Sequence, residues 1–230
     1  MPDQNQVKVL VAGSLHHVST MASQPDGGSV LAAGIAEIAA SRYPAVRVDL
    51  DVEIVAGFDE LRGRLEAGSV LLGESTPDVV ILSVDDEVRR LGSRGPDPAS
   101  AVEAVRGDLV ALTRLFKAAG VRVLVANACT VDPESWPRTY AGLDQEPVGL
   151  RAHRLDVMLV EVSHTEGISV IDVDRAIAEL GATGRLDAAM VYGPEACERI
   201  AEDTVIVLED YGFLDGRPLL EQVGAGSGGA

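Results

Sequence analysis

The chain has 230 residues, of which 47% are hydrophobic and only 3% aromatic, so one large domain can bury a core of mainly aliphatic side chains. Its 36 acidic and 19 basic residues give a formal net charge of −17. That charge excludes a nucleic-acid partner, because phosphate binding needs clustered lysine and arginine. The sequence has no run of about 18 apolar residues, so we expect no membrane helix.

The two ends of the chain and its cysteines suggest where the protein works. Residues 1–6 are polar and lack the basic and apolar regions of a secretory signal. Cys129 and Cys197 are too few for a disulfide framework and lack the spacing of a metal site. We therefore expect a cytoplasmic protein that binds a small-molecule substrate and needs no cofactor. One domain is expected over residues 1–222, followed by a flexible glycine-rich tail over 223–230.

Five apolar runs rich in β-branched residues predict the strands of one sheet. They are Val7–Ala12, Val46–Val55, Val79–Val84, Val121–Ala126 and Ile168–Val173. The second run alternates apolar with charged residues, so we expect a half-exposed strand at or near the sheet edge.

Helical patterns separate these strands. They cover Val30–Arg42, Phe58–Ala67, Pro98–Ala119, Leu150–Ser163 and Pro194–Leu208. Buried strands alternating with helices are typical of a parallel sheet with helices on both faces. The pattern therefore predicts a three-layer α/β/α domain with a five-stranded, mainly parallel sheet. A flavodoxin-like or other doubly wound domain has the same periodicity and is the alternative fold.

Polar residues follow each predicted strand, at the rim where open α/β sheets hold their ligands. They include a hydroxyl, two imidazoles, an amide and several carboxylates: Ser14, His16, His17, Asp85, Asp86, Glu87, Asn127, Asp172 and Asp174. Such a set can form a nucleophile with its base, or a metal site.

The order of these segments, from Val7 to Leu208, resembles the SGNH (GDSL-type) hydrolases, a family of esterases, lipases and acyltransferases with a three-layer α/β/α fold. Ala12-Gly13-Ser14-Leu15 stands where that family has Gly-Asp-Ser-Leu, and Val55-Ala56-Gly57 matches the region of its oxyanion-hole glycine. The resemblance implies that Ser14 is the nucleophile and that Gly57 contacts the oxyanion.

Later segments also resemble the family. Pro77 to Glu87 is similar to the strand that ends in Gly-x-Asn-Asp, and Gly167 to Asp172 to the family's last strand. Asp187-Ala188-Ala189-Met190 stands where the family has Asp-x-x-His, so Met190 occupies the position of the catalytic histidine. Methionine cannot accept a proton from Ser14.

A rearranged catalytic triad would give Ser14 a base in place of the histidine that is absent at position 190. His16 or His17 would take the proton, and Asp187 or Asp85 would orient the imidazole. We expect Gly57, Asp85, Asp86, Asn127 and Trp136 to contact the substrate.

Several of these residues have a second interpretation. The asparagine that the resemblance implies around positions 85 to 87 is absent. The carboxylates of Asp85 to Glu87 can supply metal ligands, replace the contacts of that amide, or form a solvated loop neutralised by Arg89 and Arg90. Trp136, in a proline-bracketed loop, can form a wall of the site or pack on the surface. Cys129 is either an alternative thiol nucleophile or a buried, inert residue. The resemblance implies that Asp172 caps or orients the segment that follows it.

Three functions fit the sequence. The first is an atypical serine hydrolase or acyltransferase acting on a small ester or acyl group. The second is a catalytically degenerate protein of the same fold that binds a ligand or partner. The third is a metal-assisted enzyme that uses His16, His17 and the carboxylates at the strand ends. The sequence leaves the oligomeric state open.

Overall fold

The computed structural model describes residues 6–13, 30–68, 76–130, 146–181 and 192–215. Its five strands form a single parallel sheet in the order β2-β1-β3-β4-β5. The strands are β1 (Gln6–Gly13), β2 (Arg47–Ile54), β3 (Val79–Ser83), β4 (Arg122–Ala126) and β5 (Ser169–Ile171). All five predicted strands are confirmed, as is the expected edge position of the second.

Seven helices connect or flank these strands in the described part of the chain. They are α1 (Val30–Arg42), α2 (Phe58–Glu66), α3 (Asp85–Arg90), α4 (Pro98–Ala118), α5 (Val148–Glu166), α6 (Val173–Glu179) and α7 (Pro194–Asp210). Helix α1 packs against α7, which also contacts α6, whereas α4 packs against both α2 and α5. The helices therefore form two groups around the sheet, which confirms the three-layer α/β/α architecture.

The core lies around the central strands. All five residues of β3 are buried, and so are the last four of β4. Helices on both faces of a parallel sheet require such continuous apolar strands. On β2, by contrast, every residue is exposed or half-buried, as the alternation of charged and apolar residues predicts.

Local signals in the sequence set the bounds of helix α4. The Asp97 side chain accepts a hydrogen bond of 3.0 Å from the Ser100 amide, and Pro98 stands in the first turn. After the helix ends at Ala118, Gly120 takes a φ of +81°, a conformation that favours glycine. Strand β4 begins two residues later.

Two short helices, α3 and α6, were not expected from the sequence. Asp85, Asp86 and Glu87 form the first turn of α3 and are buried, so the interpretation of this segment as a solvated loop is wrong. The segment is too short to show helical periodicity, which is why the pattern did not predict it. No helix within the described ranges is both long and apolar enough to cross a membrane.

Candidate functional site

Backbone hydrogen bonds align the carboxyl ends of the strands at one rim of the sheet. The Val55 amide donates to the Gly13 carbonyl at 2.8 Å, and the Val84 amide donates to Ala126 at 3.2 Å. The Asn127 amide donates to Ile171 at 3.1 Å. The turns that follow the strands therefore start from a common edge, where such sheets bind ligands.

The structure places part of the predicted site at this rim. Gly57, Asp85, Asp86 and Asn127 follow β2, β3 and β4. The other predicted residues, namely Ser14, His16, His17, Trp136, Asp187 and Met190, lie outside the described residues. Gly13, the last residue of β1, directly precedes Ser14 in the chain.

Gly57 lies at the amino end of helix α2 and is buried. Among the described residues, its N–H has no hydrogen-bond acceptor, whereas the next amide, that of Phe58, donates to Glu87 Oε1 at 2.7 Å. The first N–H groups of a helix have no partner within the helix. A buried N–H left unpaired is uncommon in proteins, so this one is a candidate ligand contact.

The neighbourhood of Gly57 also requires a glycine. A Cβ at position 57 would overlap the Arg90 guanidinium and would lie 2.6 Å from Glu87 Oε1. Arg90 cannot easily move away, because its Nη1 donates to the Ala56 carbonyl at 2.9 Å and its guanidinium forms two hydrogen bonds with Asp59, of 2.8 and 2.9 Å. A side chain here would therefore break the contacts that hold the turn.

Carboxylates and guanidinium groups alternate beside this turn. Glu87 is fully buried, 3.3 Å from Arg94 Nε and 3.8 Å from Arg90 Nη1. Burial raises the pKa of Glu87 more than the two guanidinium groups lower it. The hydrogen bonds from Arg90 lower the pKa of Asp59 to about 2. The turn after β2 and helix α3 are thus joined by charge-assisted contacts.

Asp85 lies in the segment, positions 85 to 87, where the SGNH resemblance expects an asparagine. Its carboxylate accepts a 2.7 Å hydrogen bond from the buried Tyr192 hydroxyl. Burial, and next the negative charge of Asp85, raise the pKa of Tyr192 well above its ordinary value. Tyr192 is therefore a neutral donor. No sequence motif had singled out Tyr192, and the one available signal was its place just before Gly193 and Pro194 at the start of the last helix.

Asn127 braces the turn between β5 and α6. Its Nδ2 donates to Asp172 Oδ1 at 3.0 Å, and its Oδ1 accepts from the Asp174 amide at 3.2 Å. Asp172 also accepts from the Arg175 amide at 3.1 Å and so caps α6, as predicted. Both atoms of the Asn127 amide are thus engaged with the protein.

The segment that follows Asn127 is held by two further carboxylates. The Ala128 amide donates to Asp156 Oδ1 at 3.1 Å, and the amide and hydroxyl of Thr130 donate to Asp174 Oδ1 at 2.7 and 2.8 Å. Burial, helped by Asp174 and Asp85, raises the pKa of Asp156 to about 7. Sequence reasoning missed Asp156 because it lies within α5 rather than at a strand end.

Both cysteines of the chain are buried in the structure. They are Cys129 and Cys197, and burial raises the pKa of Cys197 to about 12.

The described residues offer no metal site. In the ranges that the structure describes, no group of three or more His, Cys, Asp or Glu side chains is placed to hold a metal ion. His16 and His17 are not in those ranges.

Comparison with solved structures defines the fold. A lipase/acylhydrolase from Enterococcus faecalis superposes with a TM-score of 0.65 at 17% identity, covering 89% of this chain and 96% of that one. An acetylxylan esterase from Geobacillus stearothermophilus gives 0.62 at 15% identity, covering 90% and 94%. A candidate SGNH hydrolase from Slackia heliotrinireducens gives 0.55 at 15% identity, covering 89% and 100%.

The chain thus has the SGNH-hydrolase fold, over nearly its whole length and that of the proteins it matches. No family model and no curated protein matches the sequence. At these identities the likeness concerns the fold, so the activity has to be argued from the site.

Proposed function

We propose that the protein is an SGNH-type serine hydrolase or acyltransferase that acts on a small ester or acyl substrate. The observation that carries this proposal is the buried N–H of Gly57, which has no acceptor among the described residues. It lies in the turn that begins at Val55, whose amide is bonded to the Gly13 carbonyl, one residue before Ser14. An oxyanion hole needs such a donor, fixed before the substrate arrives.

The proposed reaction begins when the Ser14 hydroxyl attacks the substrate carbonyl and passes its proton to His16 or His17. The N–H groups of Ser14 and Gly57 stabilise the resulting oxyanion. Collapse of the tetrahedral intermediate expels the alcohol, which takes the proton from the imidazolium. Water, or an acceptor alcohol, then attacks the acyl-serine by the same steps. We assign the orientation of the imidazole to Asp187, since Asp85 is held by Tyr192.

Asp85 has a different task in this proposal from that of the family's asparagine. Asp85 accepts a hydrogen bond from Tyr192, and its carboxyl group, unlike an amide, offers an oxyanion no N–H donor. The oxyanion hole therefore consists of backbone N–H groups, and Asp85 and Asp86 meet donor groups of the substrate. Trp136 forms a wall of the site, and Asn127 acts mainly through the turn it braces.

Labelling with a fluorophosphonate tests this proposal. The wild type and Ser14→Ala are incubated with the reagent, and their intact masses are compared. A stoichiometric adduct on the wild type alone supports an activated Ser14, and loss of that adduct in either His16→Asn or His17→Asn would identify the base. If the folded wild type gains no adduct, the acyl-enzyme mechanism is wrong.

A binding protein without turnover is the second candidate, and the Asp85–Tyr192 pair favours it, because the pair replaces an oxyanion donor with an acceptor. This function predicts neither labelling nor ester hydrolysis. It predicts instead that a small ester or acetylated sugar raises the melting temperature of both wild type and Ser14→Ala.

A further inference from the structure

We propose that Arg90 is a positioning residue, which orients and polarises the Gly57 N–H through the carbonyl of Ala56. This inference rests on the proposed function, in which that N–H holds the oxyanion. Arg90 is the sixth residue of helix α3 and reaches the turn after β2, where its Nη1 lies 2.9 Å from Ala56 O.

The geometry of one peptide group links Arg90 to the oxyanion donor. Ala56 O and Gly57 N belong to the same peptide, which is planar and trans, so its C=O and N–H point in opposite directions. A guanidinium that holds the oxygen on one side therefore fixes the N–H on the other. Rotation of this peptide would turn the donor away and would also break the hydrogen bond to Arg90.

The same contact strengthens the donor. A hydrogen bond from a cation draws electron density toward the carbonyl oxygen, and hydrogen-bonded groups in series polarise one another. The Gly57 N–H consequently carries more positive charge than an ordinary amide.

Neighbouring groups hold Arg90 in this position. Asp59 binds its guanidinium with two hydrogen bonds, and Glu87 lies 3.8 Å from its Nη1. Arg94 contacts both of these carboxylates, at 2.8 and 3.3 Å. Glu87 also accepts the Phe58 N–H, so the peptides on both sides of Gly57 are fixed. The resulting turn holds in a constant orientation the Gly57 N–H, which has no acceptor among the described residues.

Two substitutions of Arg90 and one matched control test this role. Arg90→Ala removes the contact with Ala56, whereas Arg90→Lys keeps a charge beside the buried Glu87 in case the alanine variant does not fold. Arg106→Ala is the control, because Arg106 is as exposed as Arg90, at 29%, and also pairs with two carboxylates, Glu103 and Glu161. Those partners lie on α4 and α5.

Each variant is measured in three ways. The first is the rate constant for labelling of Ser14 by a fluorophosphonate, and the second is the separation of kcat from KM for 4-nitrophenyl acetate. The third is the ¹⁵N resonance of Gly57, which a hydrogen bond to the preceding carbonyl shifts downfield whether or not the protein is active.

We expect Arg90→Ala to lower the labelling rate constant and kcat roughly 10- to 100-fold, somewhat less than complete loss of an oxyanion donor, with KM little changed. The Gly57 resonance should move upfield. Arg90→Lys should fall between wild type and Arg90→Ala, and Arg106→Ala should match the wild type.

Each contrary result has a distinct meaning. If the wild type reacts at Ser14 and the Arg90 variants react equally fast, the positioning role is wrong and the proposed function stands. If the Arg90 variants react more slowly but the Gly57 resonance does not shift, the positioning role is also wrong, because the substitution then slows the reaction by a route other than the Gly57 N–H. A wild type that does not react overturns the proposed function, and the role of Arg90 with it.

Discussion

The Tyr192 hydroxyl donates a 2.7 Å hydrogen bond to Asp85, a residue 107 positions earlier in the chain. Asp85 begins helix α3 at the end of β3, and Tyr192 precedes helix α7 by two residues. Both side chains are buried. This contact therefore attaches the start of helix α7 to the rim of the sheet.

Tyr192→Phe tests how much this hydrogen bond contributes to the stability of the protein. The substitution removes the donor and leaves the buried Asp85 carboxylate with one hydrogen bond fewer, which should lower the free energy of unfolding by about 1–3 kcal/mol. Urea denaturation measures the difference. Tyr43→Phe is the control, since the Tyr43 hydroxyl pairs with Glu209 at the surface and should matter less. If the two substitutions lower the free energy of unfolding equally, the buried contact with Asp85 stabilises the protein no more than the surface contact with Glu209 does.

Asp156 makes stability depend on pH with an identifiable sign. Its folded-state pKa of about 7 exceeds the ordinary value of 3.8, so the folded state binds the proton more tightly than the unfolded state does. The stability that this group contributes is therefore complete below pH 3.8 and is lost as the pH rises through about 7.

Asp156→Asn should remove this loss while keeping an oxygen that accepts the Ala128 N–H. Urea denaturation at about pH 5 and about pH 8 should show a smaller fall in stability for the variant than for the wild type. Asp97→Asn is the control, because the hydrogen bonds from Ser100 lower the pKa of Asp97 from its ordinary value of 3.8, so its contribution stays nearly constant between these two pH values. Parallel curves for wild type and Asp156→Asn would contradict the prediction.

Two glycine substitutions separate local crowding from a general effect of adding a methyl group. Gly57→Ala should displace the Arg90 guanidinium and slow the labelling of Ser14 by more than roughly tenfold, as loss of an oxyanion donor would. Gly107→Ala lies in helix α4, where a Cβ meets nothing within 4 Å, and it should stabilise the protein by about 0.5–1 kcal/mol. Unchanged labelling of Gly57→Ala would remove Gly57 from the oxyanion hole.

Glu87 offers a test of the buried ion pairs. Glu87→Ala removes one of the carboxylates that Arg94 contacts, leaves the Phe58 N–H without its acceptor, and should cost about 1–3 kcal/mol of stability. Glu87→Gln should cost less, because the amide oxygen can still accept from the Phe58 N–H. Glu103→Ala, at a site 65% exposed, should change stability little. Urea denaturation should show the largest loss of stability for Glu87→Ala, a smaller loss for Glu87→Gln and the smallest for Glu103→Ala. A different order would contradict the prediction.

The strands were predictable because their signal is strong and local. Val79–Ser83 and Arg122–Ala126 are nearly continuous apolar runs, and the charged alternation of Arg47–Ile54 placed that strand at the edge correctly. Helices α3 and α6 were missed, since six or seven residues are too few to show a period of 3.6.

The site was predictable only where it follows directly from the strand ends. Gly57 and Asp85 lie at strand ends as expected, and their contact with a substrate stays a prediction; Asp172 caps the next segment, one of the two roles expected of it. Arg90 and Tyr192 were not singled out, because their contacts are with partners 34 and 107 positions away. A motif in the sequence cannot show that the Arg90 guanidinium on helix α3 contacts the Ala56 carbonyl in the turn after β2.

Among the strands that the structure describes, β2 and β5 stand at the two ends of the sheet, and they differ in how they are protected against self-association. On one side, β2 presents Asp49, Asp51 and Glu53 among its apolar residues, so a second copy of this chain pairing there would bring like charges together. On the other side, β5 offers only three residues, too few backbone groups to template a new strand. We therefore expect the folded protein to resist growth of its sheet into aggregates, even at high concentration.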